Sequence, residues 1–423
     1  VTDSNTTWLW SFPGGNPSSA TIRKPKVIYS TPGIYNVTLT VTDAFGSSTQ
    51  TIDSFLTVYD GCSADTVPGN ALMLDGNGDF ASIPALNLNS NTVTISAWIK
   101  PMGVQHDWGG IVFTRGGNTT AGISIKSDNE IRYHWNNAGW SFSTGLYAND
   151  STWTHVALVI TPASATVYVN GMPSTNTTTI TPEEFDASTC FGVDNNGGSR
   201  FFTGLIDEVC IYNRALSMIE IRNLMHLTKV PSSDSTLVAY YQFNEMNGLA
   251  TDRVGSRHAS LIGDATRVVS TGPFGGGNSA QLFVGGSGTY NFGSTGFSMS
   301  LPSAGMYPSG PVVVSRINLH PNILPDNHLP SRSYWIMDNY GSNLNFTSPS
   351  SLNFNGIGFI NSTQASAPNL FQLYSRSTNA DTLWHNAIDS CNNATAGIDG
   401  NVQLTTPVTV THDGQFLLMN NGA

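Results

Sequence analysis

Arg200-Phe-Phe-Thr-Gly-Leu-Ile-Asp-Glu-Val-Cys-Ile-Tyr-Asn-Arg-Ala-Leu-Ser-Met-Ile-Glu-Ile-Arg-Asn-Leu-Met225 reads as a strand that runs into the only good helical stretch of the chain. Ser217 fills an N-cap position and Glu220 lies three residues on, the spacing of a capping box. Asp207 and Glu208 are neighbours, so on a regular strand their side chains point to opposite faces, which argues against an acid/base dyad made of these two. Upstream, Thr92-Val-Thr-Ile-Ser-Ala-Trp-Ile-Lys-Pro101, Gly110-Ile-Val-Phe-Thr-Arg-Gly-Gly117, Gly122 to Asn136 and Thr152 to Pro173 read as further strand-turn-strand units. Nearer the N-terminus, Tyr35-Asn-Val-Thr-Leu-Thr-Val41 alternates. Tyr35, Val37, Leu39 and Val41 take one face and Asn36, Thr38 and Thr40 the other, the mark of a sheet with one wet side. The chain is therefore expected to be all-β.

The bulk composition agrees. At 423 residues the chain suits about three domains. Gly 42 and Pro 21 fit many turns, and aromatics at 10 % are enough for packed cores although only 11 % of residues are charged. The net charge of −11 and the absence of a basic cluster speak against nucleic acid, whose phosphates need Lys and Arg. No apolar run reaches the length of a membrane span, so membrane insertion is not expected. The chain opens inside a recognisable pattern, so a mature or trimmed piece of something longer is expected.

Three resemblances follow from particular strings. Trp8-Leu-Trp-Ser-Phe-Pro-Gly-Gly15, Tyr29 to Gly46 and the closing Leu56-Thr-Val58 resemble a PKD domain, an immunoglobulin-like sandwich, over residues 1–59, with the family's first strands missing. Ala71-Leu-Met-Leu-Asp-Gly-Asn-Gly-Asp-Phe-Ala-Ser-Ile83, Ser96 to Pro101, Trp153 to Val159 and, most specifically, Gly204 to Ser217 resemble a laminin-G-like, concanavalin A-like jelly roll over residues 71–229. Residues 60–70 read as a linker, and 230–277 as a second linker with a lead-in strand, Leu237 to Phe243. Residues 278–423 give strands such as Pro311 to Asn322 and Ser331 to Gly341, and resemble the β-sandwich modules of large surface proteins of gliding, type IX-secreting bacteria. The fold class expected is tandem β-sandwiches.

Zincin, nucleophile-elbow and P-loop spacings are absent, and the paired carboxylates of jelly-roll glycosidases have no counterpart, so no catalytic residue is expected. His155 reads as a satisfied core histidine. Exposed aromatics flanked by amides and acids suit sugar rings, and Trp108, Tyr133, Trp135 and Trp140 crowd with Asp107, Arg115, His134, Asn136 and Asn137. Of these, Trp108, Tyr133, Trp135, Trp140, Arg115 and Asn136 are the expected ligand residues. Packing is the alternative reading of such aromatics. If the jelly roll binds elsewhere, Tyr334 and Trp335 of the last sandwich are the next candidates. Trp98 and Trp153 lie in core strands and are expected to be buried.

Asp75-Gly-Asn-Gly-Asp79 is rich in oxygen donors suited to a hard cation such as calcium, or is a turn chosen for its backbone angles. The resemblance places this turn near the closing strand, which would let Asp79 and Asp207 share an ion, with Asp75 helping. Among Cys62, Cys190, Cys210 and Cys391 no CxxC pair occurs and three full pairings are open. A Cys190–Cys210 disulfide across an antiparallel pair and buried reduced thiols are both compatible with the spacing.

The reading that results is a non-catalytic adhesive or structural protein of the extracellular bacterial surface. Its jelly roll would bind a glycan or a cell-surface protein, and it could associate with other outer-surface components. The alternative is the carbohydrate-binding accessory region of a secreted hydrolase or protease.

Overall fold

The computed structural model describes residues 6–29, 33–58, 68–196, 198, 200–325, 329–330, 333–355, 366–367, 371–378, 383–386, 394–396, 401–405 and 410–420. Cys62 and Cys391 lie outside the described residues, as does most of the 60–70 linker. The chain divides into two compact units, Val1–Ala64 and Asp65–Ala423. As expected, the architecture is all-β; the described residues contain one α-helix, Met218–Leu224, and no helix among them is long and apolar enough to cross a membrane.

The first unit is a four-stranded antiparallel sheet in the order Ser19–Ala20, Thr7–Ser11, Gly33–Asp43, Gly46–Val58. Its wet face is a hydroxyl ladder: Thr38 with Thr51, Thr40 with Thr49 and Thr42 with Ser47, at 2.7–2.9 Å. On the other face Val37 is buried, and so is Phe12 beside the sheet.

The second unit opens with two facing sheets. The six-stranded sheet has the order Ile131–His134, Thr119–Ile125, Gly109–Gly116, Thr189–Phe191, Phe80–Ile83, Ser260–Ile262. The larger sheet runs Met172–Thr177, Ser164–Val169, Thr154–Thr161, Val93–Pro101, Thr203–Tyr212, Asn70–Asp75, Thr266–Val269, with Leu237–Tyr241 also paired to Thr203–Tyr212. Leu72, Ile95, Ile99, Ile123, Val156, Leu158, Ile206 and Val209 interdigitate between the sheets. The helix and the turn before it seal the outer side of the larger sheet, with Ile221 and Leu216 against Tyr212 and Tyr240. Its start is the expected capping box, Ser217 Oγ accepting from Glu220 N and Glu220 accepting from Ser217 N.

Residues 237–269 correct the expected domain boundary. They are no linker: three strands from this stretch extend both sheets of the jelly roll. The described residues beyond these form the third sandwich, with a seven-stranded sheet containing Gly277–Val284, Gly310–Ile317, Tyr334–Asn339 and Gly414–Asn420, and a five-stranded sheet containing Phe297–Leu301 and Ser351–Phe354. Tyr334 and Trp335 are fully buried there, so neither can offer a ring to a ligand.

Three further corrections concern single residues. Cys190 and Cys210 are both free and buried; they sit on strands of different sheets, one pairing with Phe80–Ile83 and the other with Val93–Pro101, so no disulfide joins them. His155 is buried, but its Nδ1 has no hydrogen-bond partner and its ring packs edge-on to Trp98 at 5.5 Å. A β-bulge between Asp207 and Cys210 breaks the alternation, with Glu208 at φ 49°. Ile206 and Val209 therefore both face the core, and the two acids share the outer side of the sheet. Asp207 pairs in register with outward-facing Trp98, and Glu208 accepts from Tyr240 and Gln242 at 2.5 and 2.9 Å.

Candidate functional site

Outward-facing side chains of the six-stranded sheet assemble one polar-aromatic cluster. On the Ile131–His134 strand, Ile131 and Tyr133 face the core, so Arg132 and His134 point outward. Phe113 of the Gly109–Gly116 strand, on the far side of Thr119–Ile125, packs edge-on to His134 at 5.2 Å across Gly122. Trp108, in the turn before that strand, packs edge-on to His134 at 5.5 Å and to Trp140 at 6.1 Å. Trp140 remains 50 % exposed and is the open ring of the cluster. Trp108 has φ 66°, in the left-handed region that a bulky residue enters only when its surroundings hold it. What holds it is visible. Lys126 lies 4.8 Å over its ring and 3.6 Å from Asp107, and Asp107 is tied down by the backbone and hydroxyl of Ser127.

The polar half is built around Asp194, which is fully buried. Arg115 donates to it through Nε and Nη2, and Arg200 through Nη1 at 2.7 Å. Arg115 also lies 5.3 Å over the Phe113 ring. Gly110 makes this possible: a Cβ there would fall 2.2 Å from Asp194 N and Val193 C, so only glycine lets the 193–194 backbone close on the sheet. His134 completes the site. It is 4 % exposed, its Nδ1 has no hydrogen-bond partner, and burial pushes its imidazole down to about 4; Asp194 pulls it the other way, and Arg115 and Arg200 add to the fall. Rings and guanidinium N–H groups thus meet on one face above a buried imidazole, a combination suited to a polyhydroxylated ring.

The expected ligand residues divide accordingly. Trp108, Trp140 and Arg115 come together. Tyr133 and Trp135 do not; they are 1 % and 2 % exposed and face the core, with Tyr133 Oη held by Asn176 and Trp135 Nε1 by Thr181 O. Two residues apart on one strand, they do share a face, but it is the apolar one. Asn136 is exposed, yet its amide is spent on Thr181 Oγ1 and Pro182 O. The cation residues divide too. Asp75 and Asp79 bring their carboxylates together with Asp264, within 4.8 Å of one another. Asp207 is fully buried inside the larger sheet, with one oxygen on Glu208 N and the other without a partner, so it is not a ligand at this turn. Asp79 accepts from Asp75 N and Gly76 N; burial raises its carboxyl, and the Asp75 charge adds to the rise. Three convergent oxygen donors with a strained charge balance fit a hard cation.

Residues 75–222 match the family model of the concanavalin A-like lectin/glucanases superfamily, and residues 1–54 match that of the PKD domain. The chain carries a PKD domain and a concanavalin A-like domain. No curated protein matches it. Similar solved structures include a Bacteroides ovatus protein proposed to bind carbohydrate, at 15 % identity over 64 % of this chain and 90 % of that one, TM-score 0.40. Domain 4 of AbnA, an extracellular arabinanase of Geobacillus stearothermophilus, in complex with arabinotriose, is 26 % identical over 37 % of this chain and 77 % of its own, TM-score 0.31. A heptameric SAP-like pentraxin from Limulus polyphemus is 16 % identical over 48 % and 97 %, TM-score 0.34.

Sequence reasoning about the concanavalin A-like domain missed Asp194, Arg200 and Asp264. Asp194 and Arg200 stand about sixty residues beyond the aromatic cluster, and only the pairing of Thr189–Phe191 with Gly109–Gly116 brings them there. Asp264 lies in the turn between Ser260–Ile262 and Thr266–Val269, a stretch whose strands are too short to announce themselves.

Proposed function

We propose that this chain is a non-catalytic, extracellular carbohydrate-binding protein of a bacterial surface, and that the Trp108–Trp140–His134 face of its concanavalin A-like domain is the ligand surface. The observation that carries the reading is the exposed Trp140 ring, joined through Trp108 and His134 to a fixed Arg115–Asp194–Arg200 lattice. Stacking on the ring gives affinity, and the oriented N–H groups give register on the sugar hydroxyls. PKD and C-terminal sandwich domains then serve as spacers that present the face. Shallow aromatic contacts bind weakly one at a time, and a surface protein gains grip by displaying many copies. The Asp75–Asp79–Asp264 turn holds a calcium ion that fixes the edge of the same domain. Asp207 and Glu208 are buried in the larger sheet and two arginines hold Asp194, so none of these three carboxylates stands free to act as acid or base.

A glycan array probed with the full chain tests this directly. Retention of a defined subset of oligosaccharides, without cleavage products on prolonged incubation, is expected. Retention of none, or release of shortened products, contradicts the reading.

A further inference from the structure

We propose that the cleft between the concanavalin A-like domain and the C-terminal sandwich is a second, separate saccharide site, sized for a short neutral sugar of one or two units. The cleft encloses about 440 Å³, within the ~300–1,000 Å³ of small-ligand sites. One wall comes from the jelly roll, with Tyr147, Trp153 and His226, and the other from the sandwich, with Asp338, Asp413 and Gln415. Both walls belong to one compact unit.

Its chemistry selects the ligand. Among the described lining residues there is no Lys or Arg; the polar groups are hydroxyls, amides, two indoles, one imidazole and two carboxylates. Asp338 and Asp413 lie within electrostatic reach of each other, so the site wants hydrogen-bond donors, which vicinal sugar hydroxyls supply in pairs. His226 Nε2 and Asp338 Oδ2 are 3.2 Å apart, but their approach is not aligned for a hydrogen bond, and both atoms are buried without a hydrogen-bond partner. His226 is 4 % exposed, and its Nδ1 is already committed to Pro273 O at 2.6 Å, which leaves Nε2 facing Asp338. His226 thus backs the Asp338 carboxylate, whose side chain keeps 25 % of its surface open to accept from a sugar hydroxyl. Tyr147, 52 % exposed, offers the stacking ring.

The site is built rather than incidental. Trp153 is fixed by Nε1 donating to Thr271 Oγ1 at 2.9 Å, and Trp98 behind it by Nε1 donating to Met225 O at 2.7 Å. Across the cleft, Arg222 lies 3.8 Å over the Tyr340 ring while its Nε donates to Gly171 O, and Tyr340 Oη donates to Asn170 O at 3.1 Å. These contacts clamp the two domains beside the opening, so the ligand meets a preformed shape.

Saturation-transfer NMR with maltose, cellobiose, xylobiose and lactose tests the proposal, using the full chain and the Trp140→Ala variant, which removes the outer-face ring. At least one sugar is expected to keep its signal in Trp140→Ala. That signal should fall roughly tenfold when Tyr147→Ala or Asp413→Arg is added, and should return with Tyr147→Phe in place of Tyr147→Ala. Melting curves establish that each variant is folded. A Trp140→Ala protein that gives no signal with any of the four sugars overturns the cleft, as does a signal indifferent to both cleft substitutions. The outer face is judged separately, by the signals that Trp140→Ala alone removes.

Discussion

His134 shows how one residue ties stability to the ligand face. Its imidazole titrates at 6.5 in an unfolded chain and near 4 in place, because charging it would strand a cation in a buried ring cluster. Between those values the unfolded chain binds a proton that the folded chain does not, so stability falls as pH drops from about 6.5 to 4 and loses no more below that. The full cost is ~3 kcal/mol at 1.36 kcal/mol per unit. Urea denaturation at pH 7 and pH 4 should show the native protein losing that much more than His134→Gln; parallel losses would remove His134 from the account. The residue was legible as part of a crowded stretch, but its direction was not. Only knowledge of which alternate positions face the core separates His134 from its neighbours Tyr133 and Trp135, and nothing within the crowded stretch itself names Asp194 and Arg200 as its neighbours in space.

At the scale of elements, strand alternation and the capping box were legible because each rests on contacts within a few residues. The bulge at Asp207–Glu208 was not, since one extra residue shifts the register without any change of composition. That slip carries two acids to the same side of the sheet, where the expectation from strict period-two geometry set them apart. The turn at Asp75–Asp79 was half legible: its two acids are local, and its third comes from the turn between the last two strands. If calcium sits there, an ion present at a hundredfold excess over its Kd adds about 2.7 kcal/mol, so melting curves in calcium and in EDTA should separate. Asp264→Asn should close the gap, whereas Asp207→Asn should leave the gap intact. Superimposed curves for the native protein exclude the ion.

For the whole molecule, the order PKD domain, concanavalin A-like domain, sandwich was legible from strings that survive in one sequence. The closing of the jelly roll was only partly legible: Leu237–Tyr241 read as a strand but not as part of this domain, while Ser260–Ile262 and Thr266–Val269 return from far along the chain to edge positions, and turn-rich composition disguised those two as a linker. Their return also sets the sandwich against the jelly roll through Arg222 and Tyr340, which creates the cleft. The molecule thus offers two unlike surfaces, an open aromatic face and a clamped acidic pocket, and the first carries the proposed function. Isothermal titration of the best array glycan into the native chain and into Trp140→Ala, each with its melting temperature, measures that claim. A half-exposed ring should be removable without unfolding the domain, so affinity is expected to fall about tenfold or more while the melting temperature stays nearly unchanged. An unaltered affinity, or a loss that tracks unfolding, would contradict it.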